Sequence, residues 1–135
     1  MYDSIGRLMD WRAALIMSGR FEDLSREHLY PMPVYIGDRM RALASPRELE
    51  AAFRSVRHGL LAAGATALSA KVTAVEVPRK GRFRVWVDWV ARLAGEKSLL
   101  VASTVEYMCT TDAGLRTEMS ECTCPPVLQI AAAAR

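Results

Sequence analysis

The sequence predicts one α+β domain in which three helices pack on a curved antiparallel sheet and make a cone of its inner face. Three observations carry that expectation. The hydrophobic period changes from helical to two at Gly64, dividing the chain into a helical front and a stranded back. The longest helix opens on a legible capping box. A length of 135 residues, with 51% hydrophobic and 24% charged side chains, suits one core that needs no disulfide or metal.

Residues 4–18 read as the first helix, capped by Ser4, with Ile5, Leu8, Met9, Leu15 and Ile16 near helical spacing and Ser18-Gly19 as its stop. A short second helix over residues 21–28 presents Phe21, Leu24 and His28 on one side. Pro31 and Pro33 then force an extended path. Val34-Tyr35-Ile36 and residues 39–43 form a hairpin around Gly37-Asp38, pairing Ile36 with Arg39 and Tyr35 with Met40. Ser45, Pro46 and Glu48 supply the N-cap, the first helical position and the box partner of the third helix. Its apolar face is Leu49, Phe53, Val56 and Leu60, and Gly64 ends it.

In the back half, Leu68, Ala70, Val72 and Ala74 alternate with polar residues as a strand with one buried face would. Turns at residues 78–81, at Gly95-Glu96 and at Asp112-Ala113-Gly114 separate three further strands, the second over 99–110 and the third over 115–123. Pro125 and Pro126 end the sheet. The domain is expected to run over residues 1–130, leaving a frayed tail at 131–135.

Composition narrows the function classes. No apolar stretch approaches the roughly 20 residues of a bilayer span, and Asp10 and Arg12 spoil the N-terminus as a secretory signal, so a cytoplasmic protein without membrane contact is expected. Cys109, Cys122 and Cys124 form no framework spacing and read as reduced thiols, with no metal site. The net charge of +3 raises the question of nucleic acid. The basic residues are scattered, however, apart from the hairpin tip Arg79-Lys80-Gly81-Arg82-Phe83-Arg84, and no nucleic-acid partner is expected. There is no glycine-rich phosphate loop and no recognisable nucleophile with its base, so no cofactor and no covalent chemistry are indicated.

Residues 11–24, WRAALIMSGRFEDL, resemble the first-helix signature of the nuclear transport factor 2-like superfamily, which includes ketosteroid isomerase, scytalone dehydratase and polyketide-cyclase-like proteins. That signature is an Ala-Leu pair, a short gap, Gly, an acid and an apolar residue; here Arg20 stands where the acid is usual. The order of elements extends the resemblance over nearly the whole chain. It implies a cystatin-like cone and a homodimer formed through the outer sheet face, and it says little about function, because the fold hosts enzymes and binders alike. Isomerase-like members carry a general-base acid just before a proline on the first strand, whereas Pro31-Met32-Pro33-Val34-Tyr35-Ile36 contains no carboxylate. Dehydratase-like members use a His and Asp arrangement; His28 and His58 fall on helices here and are expected at the surface or an interface.

Strand register sharpens the site. A two-residue turn at Gly95-Glu96 places Val85 opposite Glu106 and Val87 opposite Thr104. A three-residue turn at 112–114, closed by a glycine bulge, places Glu106 opposite Ser120, Met108 opposite Glu118 and Thr104 opposite Cys122. The ligand-binding candidates are Tyr35, Val85, Val87, Trp89, Glu106 and Ser120, facing a small hydrophobic molecule. A desolvated Glu106 is the candidate catalytic acid or base for isomerase, dehydratase or cyclase chemistry, with Tyr30 or Tyr35 as donor to an oxyanion. A slip of one residue would instead put Glu106 in solvent. Arg84, Trp86, Tyr107 and Met119 mark the opposite face as the dimer interface. The first expectation is a homodimeric small-molecule-binding or accessory protein, the second an enzyme, the third an interaction module without an open pocket.

Overall fold

The computed structural model describes residues 2–124, in the order α1 (Tyr2–Ser18), α2 (Phe21–Ser25), β1 (Met32–Ile36), β2 (Arg39–Leu43), α3 (Pro46–Ala62), β3 (Ala65–Val75), β4 (Arg82–Leu93), β5 (Ser98–Thr111) and β6 (Gly114–Cys124). The expected stop at Pro125 and Pro126 and the tail at 131–135 lie outside the described residues.

The helices follow their patterns with two corrections. Helix α1 already includes Tyr2, so Ser4 sits within its first turn instead of capping it. Helix α2 ends at Ser25, which leaves His28 beyond it in a bridge to Thr117. The third helix starts as predicted: Ser45 is extended, with φ −149°, and its hydroxyl accepts the Glu48 N–H at 3.3 Å. Glu48 reaches back one residue further than the usual box, to the Ala44 N–H at 2.7 Å. Gly64, at φ +85°, then turns the chain out of the helix, a conformation that favours glycine.

The six strands lie in the order β2-β1-β6-β5-β4-β3. The β1–β2 hairpin pairs Ile36 with Arg39 and Tyr35 with Met40, and the last four strands form the predicted meander. The sheet is not wholly antiparallel. Strand β1 runs parallel to β6, with Val34 beside Ser120, because no tight turn joins these two strands and α3 carries the chain from β2 to the far edge.

Helix α1 lies over that far edge. Its Asp10 carboxylate accepts the Ala70 N–H at 2.9 Å and the Tyr2 hydroxyl donates to the Val72 carbonyl at 2.6 Å, so helix side chains satisfy backbone groups of the edge strand β3. Ile5, Met9 and Ala13 of α1 pack on Ala70, Val72, Phe83, Val85, Val87 and Met108. A second cluster joins Leu15, Ile16 and Leu24 to Leu49 and Leu60 of α3 and to Met32, Leu43, Ala91 and Val101 of the sheet. The core is therefore split, and the division decides where the concave face stays open.

Candidate functional site

The main packing of α1 is on the β3 side of the concave face, and on the other side a cavity of about 590 Å³ remains beneath α3, lined also by Ile16 of α1 and by His28. Helix α3 contributes Phe53 and Val56, β1 contributes Val34 and Ile36, and β4 and β5 contribute Trp89, Val101 and Ala102. Phe53 and Val56 belong to the apolar face of α3 yet are only half-buried, since they face this space. The Trp89 indole is fixed in the wall by donating from Nε1 to Thr104 Oγ1 at 2.8 Å.

Trp89, Glu106 and Ser120 stand in the cavity wall. Glu106 is 6% exposed, lies opposite Val85 and Ser120, and accepts the Ser120 hydroxyl at 2.6 Å. Thr104 lies opposite Val87 and Cys122, as the register predicted. The chain reaches that register by another route. After β4 the turn is one residue longer, with the Leu93 N–H on the Lys97 carbonyl at 2.7 Å, and a ladder shift beyond Trp89, where Val101 has no opposite partner, restores the alignment. At the next turn Gly114 pairs directly with Thr111, and Glu118 is the extra residue instead. Thr117, not Glu118, therefore faces Met108, while Glu118 pairs with Arg82 at 3.0 Å.

Three other candidates fall outside the wall. Val85 and Val87 are fully buried under α1, a covering that strand alternation alone does not reveal. Tyr35 is 37% exposed on the opposite face, because Val34 and Ile36 take the inward positions of β1. Nor can the tyrosines serve as oxyanion donors. The Tyr30 hydroxyl is committed to the Ser25 carbonyl at 2.7 Å, and burial, then the Glu50 charge, push its pKa up to about 12. On the outer face, Arg84 lies over the Trp86 ring at 5.0 Å and pairs with Glu76 at 2.7 Å, while Tyr107, opposite Met119, donates to Glu121 at 3.2 Å.

Two polar residues join the site that the sequence reading left out of it. Arg12 is 2% exposed; it donates to Thr117 Oγ1 at 2.6 Å and to the Glu27 carbonyl at 3.1 Å, and it pairs with the Glu27 carboxylate at 3.5 Å. Burial lowers its pKa, opposed by the charges of Glu106 and Glu27. His28 is 7% exposed and lines the cavity. Burial, then the Arg12 charge, push its pKa down to about 3 against the hydrogen bond to Leu24, with Arg116 adding to the fall. The ring is thus neutral at physiological pH. Its Nδ1 lies 2.9 Å from the Leu24 carbonyl, which can only accept, so Nδ1 carries the proton and Nε2 is an acceptor. The signals were present in the pattern. Arg12 occupies the stripe of Ile5, Met9 and Ile16 at helical spacing, and His28 follows Leu24 by four residues.

Among solved structures the chain is similar to Aln2 from a Streptomyces species, at 14% identity and TM-score 0.69, over 99% of this chain and 95% of that one. It is similar to an NTF-2-like protein of unknown function from Shewanella oneidensis, at 11% identity and TM-score 0.69, over 90% and 97% of the two chains. It is also similar to a domain of unknown function with a cystatin-like fold from Nostoc punctiforme, at 13% identity and TM-score 0.68, over 98% and 82%. The chain has the nuclear transport factor 2-like, or cystatin-like, fold. No protein-family model and no curated protein matches it in sequence.

Two outcomes check the buried polar cluster. Arg12→Met removes the buried cation beside Glu106 and leaves Glu27 with only Arg116, at 4.0 Å, and should cost about 3–5 kcal/mol in urea denaturation; a loss below about 1 kcal/mol would show that the guanidinium is not held by its partners. For His28 the folded pKa of about 3 lies below the ordinary 6.5, so the unfolded chain binds the extra proton between those values. The contribution is complete above pH 6.5 and should fall on acidification by about 1.4 kcal/mol per pH unit. His28→Gln should remove that slope from the difference in stability measured at about pH 7 and about pH 5.

Proposed function

We propose that this chain binds a small, largely apolar molecule in the cavity under α3, with a polar group of the ligand at the Glu106–Ser120 pair. The observation that supports this is the combination of an open volume of about 590 Å³, apolar walls and a small buried polar group, the usual make-up of a ligand site. An interaction module with a filled cone fits that volume poorly. The test is a thermal-shift screen of hydrophobic hydroxylated compounds against the wild type and Glu106→Gln. The expected result is an upward shift that the variant loses, whereas no response to any compound class would remove the ligand reading.

A catalytic reading has one specific support, the same buried Glu106. In it Glu106 exchanges a proton with a bound substrate, in isomerase, dehydratase or cyclase chemistry, while Ser120 and His28, rather than either tyrosine, orient the reacting group. Turnover of any compound found in the screen, lost in Glu106→Gln while binding persists, would separate catalysis from binding.

The working form on this reading is a cytoplasmic homodimer. Trp86, Tyr107 and Met119 among charged neighbours give the outer face the composition of an interface, and Cys109 is a buried thiol as expected in a reducing compartment. Sedimentation should return a dimer mass for the wild type and a monomer mass for Trp86→Glu; a monomeric wild type would refute the dimer.

A further inference from the structure

Resting on the ligand reading above, we infer that the ligand is an elongated anion: an apolar body with a carboxylate at the hairpin end of the cavity and a hydroxyl at its inner end. The argument begins with one row of the sheet. Arg41 pairs with Val34, Val34 with Ser120, and Ser120 with Glu106, so these four residues stand side by side across β2, β1, β6 and β5, and all four line the cavity. Adjacent strands are about 4.8 Å apart, which puts the Arg41 and Glu106 backbones about 14 Å from each other. The row spans the cavity floor and carries a formal charge at each end.

Those two charges are not in the same condition. Glu106 is buried, and the Arg12 guanidinium behind the wall answers its charge. Arg41 is exposed at the hairpin end, and among the described residues it enters no ion pair. The chain therefore leaves a cation beside an apolar cavity with its complement unsupplied. A ligand carboxylate provides it, and guanidinium is the side chain best shaped to take one.

The inner end sets the second requirement through donors and acceptors. Ser120 spends its one proton on Glu106, His28 spends its Nδ1 proton on the Leu24 carbonyl, and Glu106 has none to give as a carboxylate. What these three groups can still offer a ligand is acceptor capacity. A carbonyl or a second carboxylate would meet only lone pairs there, whereas a hydroxyl donates into them. The order of groups along the ligand is thus fixed as acid, apolar spacer, hydroxyl.

The experiment uses ω-hydroxydodecanoic acid, whose extended length suits the span, with its primary amide and plain dodecanoic acid as matched controls, titrated by calorimetry and, in a chain with Trp11 and Trp86 replaced by Phe, against the fluorescence of Trp89. The wild type should prefer the hydroxy acid over its amide by about tenfold. In Arg41→Gln that preference should vanish through weaker binding of the acid while the amide is unaffected. In Glu106→Gln the preference for hydroxy acid over dodecanoic acid should vanish while acid still exceeds amide. An amide that binds the wild type as tightly as the acid, or an Arg41→Gln change that weakens both equally, would overturn the anion inference and leave the cavity reading standing. If none of the three compounds binds, this inference falls, and the broader screen above then decides the cavity reading by itself.

Discussion

A guanidinium taken out of water in the middle of a helix is costly unless several groups arrive together to meet it, and Arg12 sets that condition for this fold. The turn after α2 must bring the Glu27 carbonyl and carboxylate, β6 must bring Thr117, and β5 must bring Glu106 within reach of its charge. These groups come from the front, the last strand and the centre of the sheet. Thr117 is shared further: its backbone N–H goes to the Glu27 carbonyl, its carbonyl accepts the Leu29 N–H, and its hydroxyl contacts the Met108 sulfur at 3.1 Å. The bonds of the two Arg12 terminal nitrogens thus tie the helical half to the sheet, although the buried Nε has no partner among the described residues. The Arg12 charge adds to burial in keeping His28 neutral and interacts with that of Glu106 at the cavity wall, so the polar end of the cavity shares its electrostatics with this one buried cation.

Local chemistry was read well from the sequence where it is self-contained. The Ser45 cap, the Gly37-Asp38 turn and the alternation of the long strands depend on neighbours a few residues away, and each appears where expected. The alignment of Glu106 with Val85 and Ser120 was also legible, although for an incomplete reason. The two predicted turns that flank β5 each differ by one residue from the real ones, and a bulge further along each ladder cancels the difference before the chain reaches the site. Burial of one face penalises a slip, so the correction is made within the strand when the turn does not make it.

What remained hidden depends on contacts between distant parts of the chain. Periodicity places Val85 and Val87 on the inner face but cannot say that α1 lies on them. Nothing local sets the direction of β1 against β6, strands brought together only after α3 has crossed the sheet. Arg12 and His28 were read as ordinary polar positions because hydropathy treats charge as exposure, and only the presence of Glu27, Thr117 and Leu24 makes their burial tolerable.

The divided core has a consequence for how such a chamber changes over time. The concave sheet is longer than the space it encloses, and Ile5, Met9 and Ala13 act as a plug in the remainder. The cavity lining includes none of these three side chains, so the open space lies away from the part of the sheet that they cover. Met9 shares its cluster with Val85, and Val85 stands directly opposite Glu106, so a substitution at Met9 reaches the strand next to the polar wall. In a fold built this way, the apolar end of the chamber and its polar wall rest on adjacent strands.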